Sequence, residues 1–212
     1  NSLHYSKNHV KYNFVPKVKT RTGKFFEKSA KELKKFISEK KCGYEIIDGA
    51  CVPYYDYDKS FDSESEQKSA WQTELTQAYQ SVCEKFADQK EKQVISLDAS
   101  GYNTKKDKWV NSFHFLVRGV GYYESGKAMN EAVGIEGFDT SIYKDVNKRQ
   151  LFRLPYCSKE DDLAANGPRP LKRVFLPHVA ETNDSHDSSS LNNVVVFVNQ
   201  VDEIEDECES LQ

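Results

Sequence analysis

A chain of 212 residues that is 38% hydrophobic can bury one substantial core, or two small subdomains sharing a cleft. A mean hydropathy of -0.74 and the lack of any apolar run near the ~18 residues of a membrane span exclude a transmembrane helix, and Asn1 to Phe14 lacks the apolar segment of a secretory signal. The net charge of -3 is unevenly spread: Asp202 to Glu209 carries six acidic groups and leaves the rest of the chain about +3, so the sign of the whole does not set the sign of a cleft.

From the N-terminus, residues 1 to 22 place Lys7, Lys11, Lys17, Lys19 and Arg21 among Tyr, Phe and Val, the pattern of a basic arm or an edge strand. Lys24 to Lys40 sets Phe25, Phe26, Ala30, Leu33, Phe36 and Ile37 at helical spacing with lysines opposite, which predicts an amphipathic helix. Tyr44 to Val52, with Gly49 in a turn, reads as a hairpin leading into a strand that ends ACVPYYDYDKSF, Ala50 to Phe61. A long helix follows, with Ser63 or Ser65 as N-cap and Trp71, Leu75, Ala78, Tyr79, Val82 and Phe86 as its apolar stripe.

Val94 to Ala99 is a short buried strand, and Trp109 to Arg118 a longer one with Ser112 and His114 on one face and Phe113 and Phe115 on the other. Gly119 and Gly121 end it, and Tyr122 to Val133 reads as a third helix. Gln150 to Pro155 and Leu171 to Pro177 are further strands, separated by the Gly/Pro turn Asn166 to Pro170. Glu181 to Asn192 is a polar low-complexity loop in which His186 is expected to be solvated, and Val194 to Val198 is a last strand before the acidic tail, 199–212. Cys42, Cys51, Cys83, Cys157 and Cys208 are scattered, odd in number and without the C-x-x-C spacing of a zinc site, so reduced thiols are expected.

The chemistry begins at Asp56 and Asp58. Strand alternation turns both carboxylates to one face, where each raises the other's pKa unless a cation lies between them. A polar strand end is the plain reading of the tripeptide alone; a divalent metal such as Mg²⁺ is the functional one. Asp139 adds a third carboxylate, and Lys144, Lys148, Arg149, Arg153 and Lys159 follow it, with Arg153 on an otherwise apolar strand that calls for an anionic partner, phosphate or carboxylate. Serine hydrolysis fits poorly, since Ser112 and His114 share a strand and no nucleophile elbow exists, and no Walker loop occurs. Metal-assisted phosphoryl transfer fits the whole set: two metals activate the attacking oxygen and steady the leaving pyrophosphate, while cations hold the triphosphate.

The ordered set Asp56-Tyr57-Asp58, Ser112-Phe113-His114, Phe138-Asp139-Thr140-Ser141-Ile142-Tyr143, then Arg149, Arg153 and Leu154 to Lys159, resembles the archaeo-eukaryotic primase superfamily over about residues 44 to 159. It is most similar to the primase domains of large nucleocytoplasmic DNA virus primase-helicases and to eukaryotic primase-polymerase. The resemblance implies an α/β (α+β) catalytic core with an RRM-like sheet and flanking helices, and a cleft between two subdomains. It implies that residues 1–212 form a single catalytic domain that is a fragment of a longer primase-helicase.

It implies Asp56, Asp58 and Asp139 as catalytic ligands of Mg²⁺ or Mn²⁺, Ser112 and His114 on the incoming nucleotide's phosphates, and Arg149, Arg153 and Lys159 on nucleotide or template phosphates. Lys108 corresponds to a lysine just ahead of the Ser-x-His motif. The implied activity is primer synthesis on single-stranded DNA from nucleoside triphosphates, with or without DNA polymerase activity. The implied partner is a helicase domain or subunit, and no membrane. The implied location is intracellular, in a viral factory of the host cytoplasm or in the nucleus.

Three features depart from the family pattern: Asp-x-Asp stands where some relatives have Asp-x-Glu, Lys144 to Lys148 is longer than in the eukaryotic relative, and the cysteines form no zinc module. A catalytically silent module that binds nucleotide or single-stranded DNA, and a metal-dependent nuclease, are the alternatives.

Overall fold

The computed structural model describes residues 17–19, 26–27, 32, 35–37, 39 and 41–176, so the expected loop at 181–192, the strand at 194–198, Cys208 and the acidic tail lie outside the described residues. The elements whose bounds lie among the described residues are, in order, β1 (Lys17–Lys19), β2 (Phe26–Glu27), β3 (Tyr44–Ile47), β4 (Tyr54–Phe61), α1 (Glu64–Lys85), β5 (Gln93–Asp98), β6 (Gly101–Asn103), β7 (Lys108–Arg118), α2 (Gly126–Val133), β8 (Gln150–Arg153), α3 (Glu160–Ala164) and β9 (Lys172–Val174). They form an α+β arrangement of two antiparallel sheets with helices, and none of the described helices is long and apolar enough to cross a membrane.

The smaller sheet has the order β2-β1-β3-β8 and the larger β4-β7-β5-β9, with β6 pairing the stretch of β7 just beyond β5. β4 and β5 both run antiparallel to β7, so they are parallel to each other and need a long crossover. That crossover is α1. Its Ser63 cap accepts from Glu66 N while Glu66 reaches back to Ser63 N, a complete capping box. Leu75, Ala78 and Val82 are buried along the stripe expected from the sequence, and Phe86 closes it at the C-cap.

β7 is the centre of the molecule. One face, carrying Asn111, Phe113 and Phe115, meets α1: Trp71 sits edge-on to Phe113, and Gln67 Nε2 donates to Asn111 Oδ1 at 2.6 Å while Asn111 Nδ2 donates to Glu74 Oε2 at 2.8 Å. Complete burial of Phe113 and Phe115 contributes roughly 1.5–3 kcal/mol each. The other face meets the smaller sheet, where Phe152 of β8 packs against Tyr54 and His114 at ring-centroid distances of 5.1 and 4.3 Å. Gly119 ends the strand with φ +74°, and a Cβ there would stand 2.1 Å from Glu91 O.

Several expectations are corrected. Tyr44 to Val52 is not a hairpin into β4: β3 and β4 belong to different sheets, because β3 finds its partners in β1 and β8. The helix expected from Lys24 starts later; Phe26–Glu27 is strand, and the helical residues described there are 32, 35–37 and 39, with Phe36 and Ile37 buried. β1 lies between β2 and β3, not at an edge. The helix expected from Tyr122 begins at Gly126, since Tyr123 is held in an extended bridge with Cys51 and Ser125 supplies the cap. Cys42, Cys51, Cys83 and Cys157 form no disulfide.

Replacing Ser63 by Ala removes one arm of the capping box. Urea denaturation is expected to register a loss of about 1 kcal/mol.

Candidate functional site

The antiparallel register of β4 and β7 sets Asp56 directly opposite His114 and Asp58 directly opposite Ser112. Two dipeptide-spaced motifs more than fifty positions apart thus become one four-residue patch on one face of the sheet. His114 Nε2 lies 3.5 Å from Asp56 Oδ1, and the imidazole stacks on Phe152 at an interplanar angle of 26°.

Asp139 arrives along the open edge of β4. Its backbone N–H donates to Asp56 O at 2.8 Å, and four residues on Tyr143 Oη donates to Tyr54 O at 2.9 Å. Phe138 anchors the segment by packing against Tyr55, Tyr57 and Phe115. Asp139 Oδ1 accepts from Ser141 N at 2.8 Å, which closes a short turn.

The cations come from the far end of β8 and the start of α3. Arg153 ends β8 and is buried; Lys159 is the N-cap residue of α3. Both act on the aspartates. Burial pushes the Asp56 carboxyl up to about 7, the neighbouring Asp58 and Asp139 push in the same direction, and Lys159 and Arg153 oppose them. Burial lowers the pKa of Lys159 and Arg153, with Asp56 and Asp58 working to restore it. His114 is held well below its ordinary value by burial, then by Arg153 and Lys159, so its imidazole is neutral at physiological pH.

Seven of the eight residues expected from the sequence therefore share one neighbourhood: Asp56, Asp58, Ser112, His114, Asp139, Arg153 and Lys159. Arg149 does not join them. It is exposed and precedes β8 at the end opposite Arg153, roughly 13 Å away at strand rise. Lys108 is also elsewhere, exposed and paired with Asp62. The lysine that reaches the patch is Lys106, whose Nζ lies 3.7 Å from Asp58 Oδ2.

Sequence reasoning missed Lys106, Asp162 and Arg169. Arg169 is a buried guanidinium lodged in the Gly167-Pro168-Arg169-Pro170 turn, paired with the buried Asp162 at 3.1 Å. Its only signal was a cation between two prolines, which a surface turn carries equally well.

Among the described residues no group of three or more His, Cys, Asp or Glu side chains is gathered at metal-holding spacing. The donor chemistry nevertheless suits a hard divalent cation. Asp56 Oδ1 is buried without a hydrogen-bond partner, Asp58 stands next on the same face, and Asp139, bonded through its backbone N–H to Asp56 O, accepts from Ser141 N through Oδ1. No family model matches the chain, and no curated protein matches it.

The raised Asp56 pKa gives a signed prediction. The unfolded carboxyl ionises near 3.8 and the folded one near 7, so the folded state holds the extra proton between those values and loses stability as pH climbs through that window. Asp56→Asn removes the effect. The variant is expected to match the wild type near pH 4 and to exceed it increasingly as pH rises to 7, read by denaturant titration across pH.

Proposed function

We propose that the chain is a template-directed nucleotidyltransferase domain of the primase type, joining nucleotides on single-stranded DNA. The observation that carries the reading is the β4–β7 register, which sets the Asp-x-Asp carboxylates against Ser112 and His114, with Asp139 bonded to the same strand and Arg153 and Lys159 facing them. Grouped carboxylates opposite grouped cations suit a triphosphate carrying divalent metal, because each half of the site then has a counter-charge in the substrate. The split β-α-β unit of β4, α1 and β5 around β7 supports an RRM-like sheet.

In this reading Mg²⁺ or Mn²⁺ held by Asp56, Asp58 and Asp139 supplies Lewis-acid stabilisation to the attacking and leaving oxygens. Neutral His114 donates one ring N–H toward a phosphate oxygen, and its stacking on Phe152 fixes the ring plane. Ser112 offers a hydroxyl beside it. Arg153 and Lys159, on the facing wall, bind the β- and γ-phosphates and neutralise charge that builds on pyrophosphate as it leaves. Arg149, outside this patch, serves template phosphate if it serves the reaction at all.

One observation favours a second reading, a nucleotide-binding or single-stranded-DNA-binding module without catalysis. Asp58 is engaged by Lys106 and Asp139 by its own turn, so two of the three carboxylates are satisfied internally.

Primer synthesis on unprimed single-stranded DNA separates the two, with ribonucleotides and deoxyribonucleotides tested under Mg²⁺ and Mn²⁺. The transferase reading expects metal-dependent product that falls to background in Asp56→Ala and Asp139→Ala proteins that remain folded. Template binding with a steep salt dependence but no product under either metal would establish the silent module instead. A metal-dependent nuclease would degrade the template without nucleoside triphosphate.

Metal binding has its own readout. Millimolar Mn²⁺ at pH 8 is expected to raise the melting temperature of the wild type and to leave Asp56→Asn unmoved.

A further inference from the structure

Three segments of chain must keep a fixed spacing for the patch to work: the turn after β5 that supports Ser112, the end of β8 that carries Arg153, and the start of α3 that carries Lys159. One residue touches the supports of all three, two through its guanidinium and one through its backbone carbonyl. Arg169 Nη1 donates to Ala99 O at 3.0 Å, and Arg169 Nη2 donates to Asp162 Oδ2 at 3.1 Å and Oδ1 at 3.4 Å. Its backbone carbonyl accepts from Arg153 Nη1 at 3.2 Å. Arg169 and Asp162 are almost completely buried.

Each contact leads to the site by a short path. Ala99 N donates to Ser112 O, and Ser112 N donates to Ser100 Oγ, so the turn held by Arg169 is the one that satisfies both backbone groups of Ser112. Asp162 lies in the first turn of α3, three residues after the cap Lys159, and the five-residue helix is too short to hold a position unaided. Arg153 Nη1 donates to the carbonyl of Arg169 itself. The space is fitted as well: Gly101 has φ +144°, and a Cβ there would stand 3.2 Å from Arg169 Cδ.

We propose that Arg169 is a positioning residue that sets the Arg153–Lys159 wall against the Ser112–His114 wall, so that the cations meet one anionic group, a polyphosphate, between them. The proposal deepens the transferase reading and rests on it for the identity of that anion. Arg169 touches no substrate; it acts through Arg153 and α3. A guanidinium is needed because a single lysine ammonium cannot donate to Ala99 O and fork onto a carboxylate at once.

The test measures the affinity of the 212-residue chain for inorganic tripolyphosphate in Mg²⁺ buffer by calorimetry, with thermal denaturation on the same samples. Arg169→Lys and Asp162→Asn are each expected to weaken binding roughly tenfold or more. In the double variant Arg153→Gln/Arg169→Lys the second change is expected to cost less than it does alone, because one of the two groups set in place by the Arg169 turn is already gone while the α3 route remains. Should Arg169→Lys fail to fold, Asp162→Asn and Gly101→Ala carry the same comparison.

Wild-type affinity in the folded variants, or a cost from Arg169→Lys that adds in full to that of Arg153→Gln, would overturn the proposal. So would a wild type that does not bind tripolyphosphate. Primer synthesis is read separately on these samples, and its absence in protein that binds tripolyphosphate counts against the transferase alone.

Discussion

The pairing of β4 with β7 is the constraint on which the rest of the site depends. An antiparallel ladder permits one register or another, and a slip of one residue would turn Asp56 and Asp58 to the α1 face, where Tyr55 and Tyr57 now pack. The aromatic side therefore holds the polar side in place. Phe113, Phe115, Tyr55, Tyr57 and Phe138 form a connected set of ring contacts under α1, and their burial fixes which way every carboxylate points. The edge position of β4 matters too, because its open backbone groups are what receive Asp139 and Tyr143.

Once the register is set, electrostatics governs what the patch can be. The Asp56 carboxyl, buried beside the exposed Asp58 and the partly exposed Asp139, has its pKa pushed up to about 7 despite Lys159 and Arg153 nearby, which is a costly state for an isolated core. Asp56 Oδ1, His114 Nδ1 and Arg153 Nε are buried there without hydrogen-bond partners, as are Glu74 Oε1, Arg118 Nε and Arg169 Nε outside the patch. The proposed metal-bound polyphosphate would give the three in the patch counter-charges.

The two sheets divide the labour. The larger sheet supplies two of the three carboxylates, the serine and the histidine on its strands, while Asp139 comes from a turn and the cations sit on the last residue of a short strand and the cap of a short helix. Elements that small hold their place through tertiary contacts, which is why a buried arginine in the turn before β9 carries so much of the geometry. The same division explains Arg149: it belongs to the same cationic run as Arg153, but the direction of β8 carries the two apart.

The sequence by itself determined the long capped helix, the strand status of Tyr54–Phe61 and Lys108–Arg118, and the identity of seven residues that share the site, because alternation and helical spacing are local properties written in consecutive residues. It could not determine which strands pair. Tyr44–Ile47 looked like half of a hairpin and instead joined a separate sheet, since pairing is decided by long-range burial and not by the nearest turn. Arg153 stood out on its apolar strand, but the sequence could not exclude Arg149 or prefer Lys106 to Lys108, for neighbouring cations in a run carry much the same local signal and differ in where the chain takes them. The Arg169–Asp162 pair was invisible for the same reason: a charge in a proline turn reads as solvated until the tertiary structure closes over it and leaves its hydrogen bonds nowhere else to go.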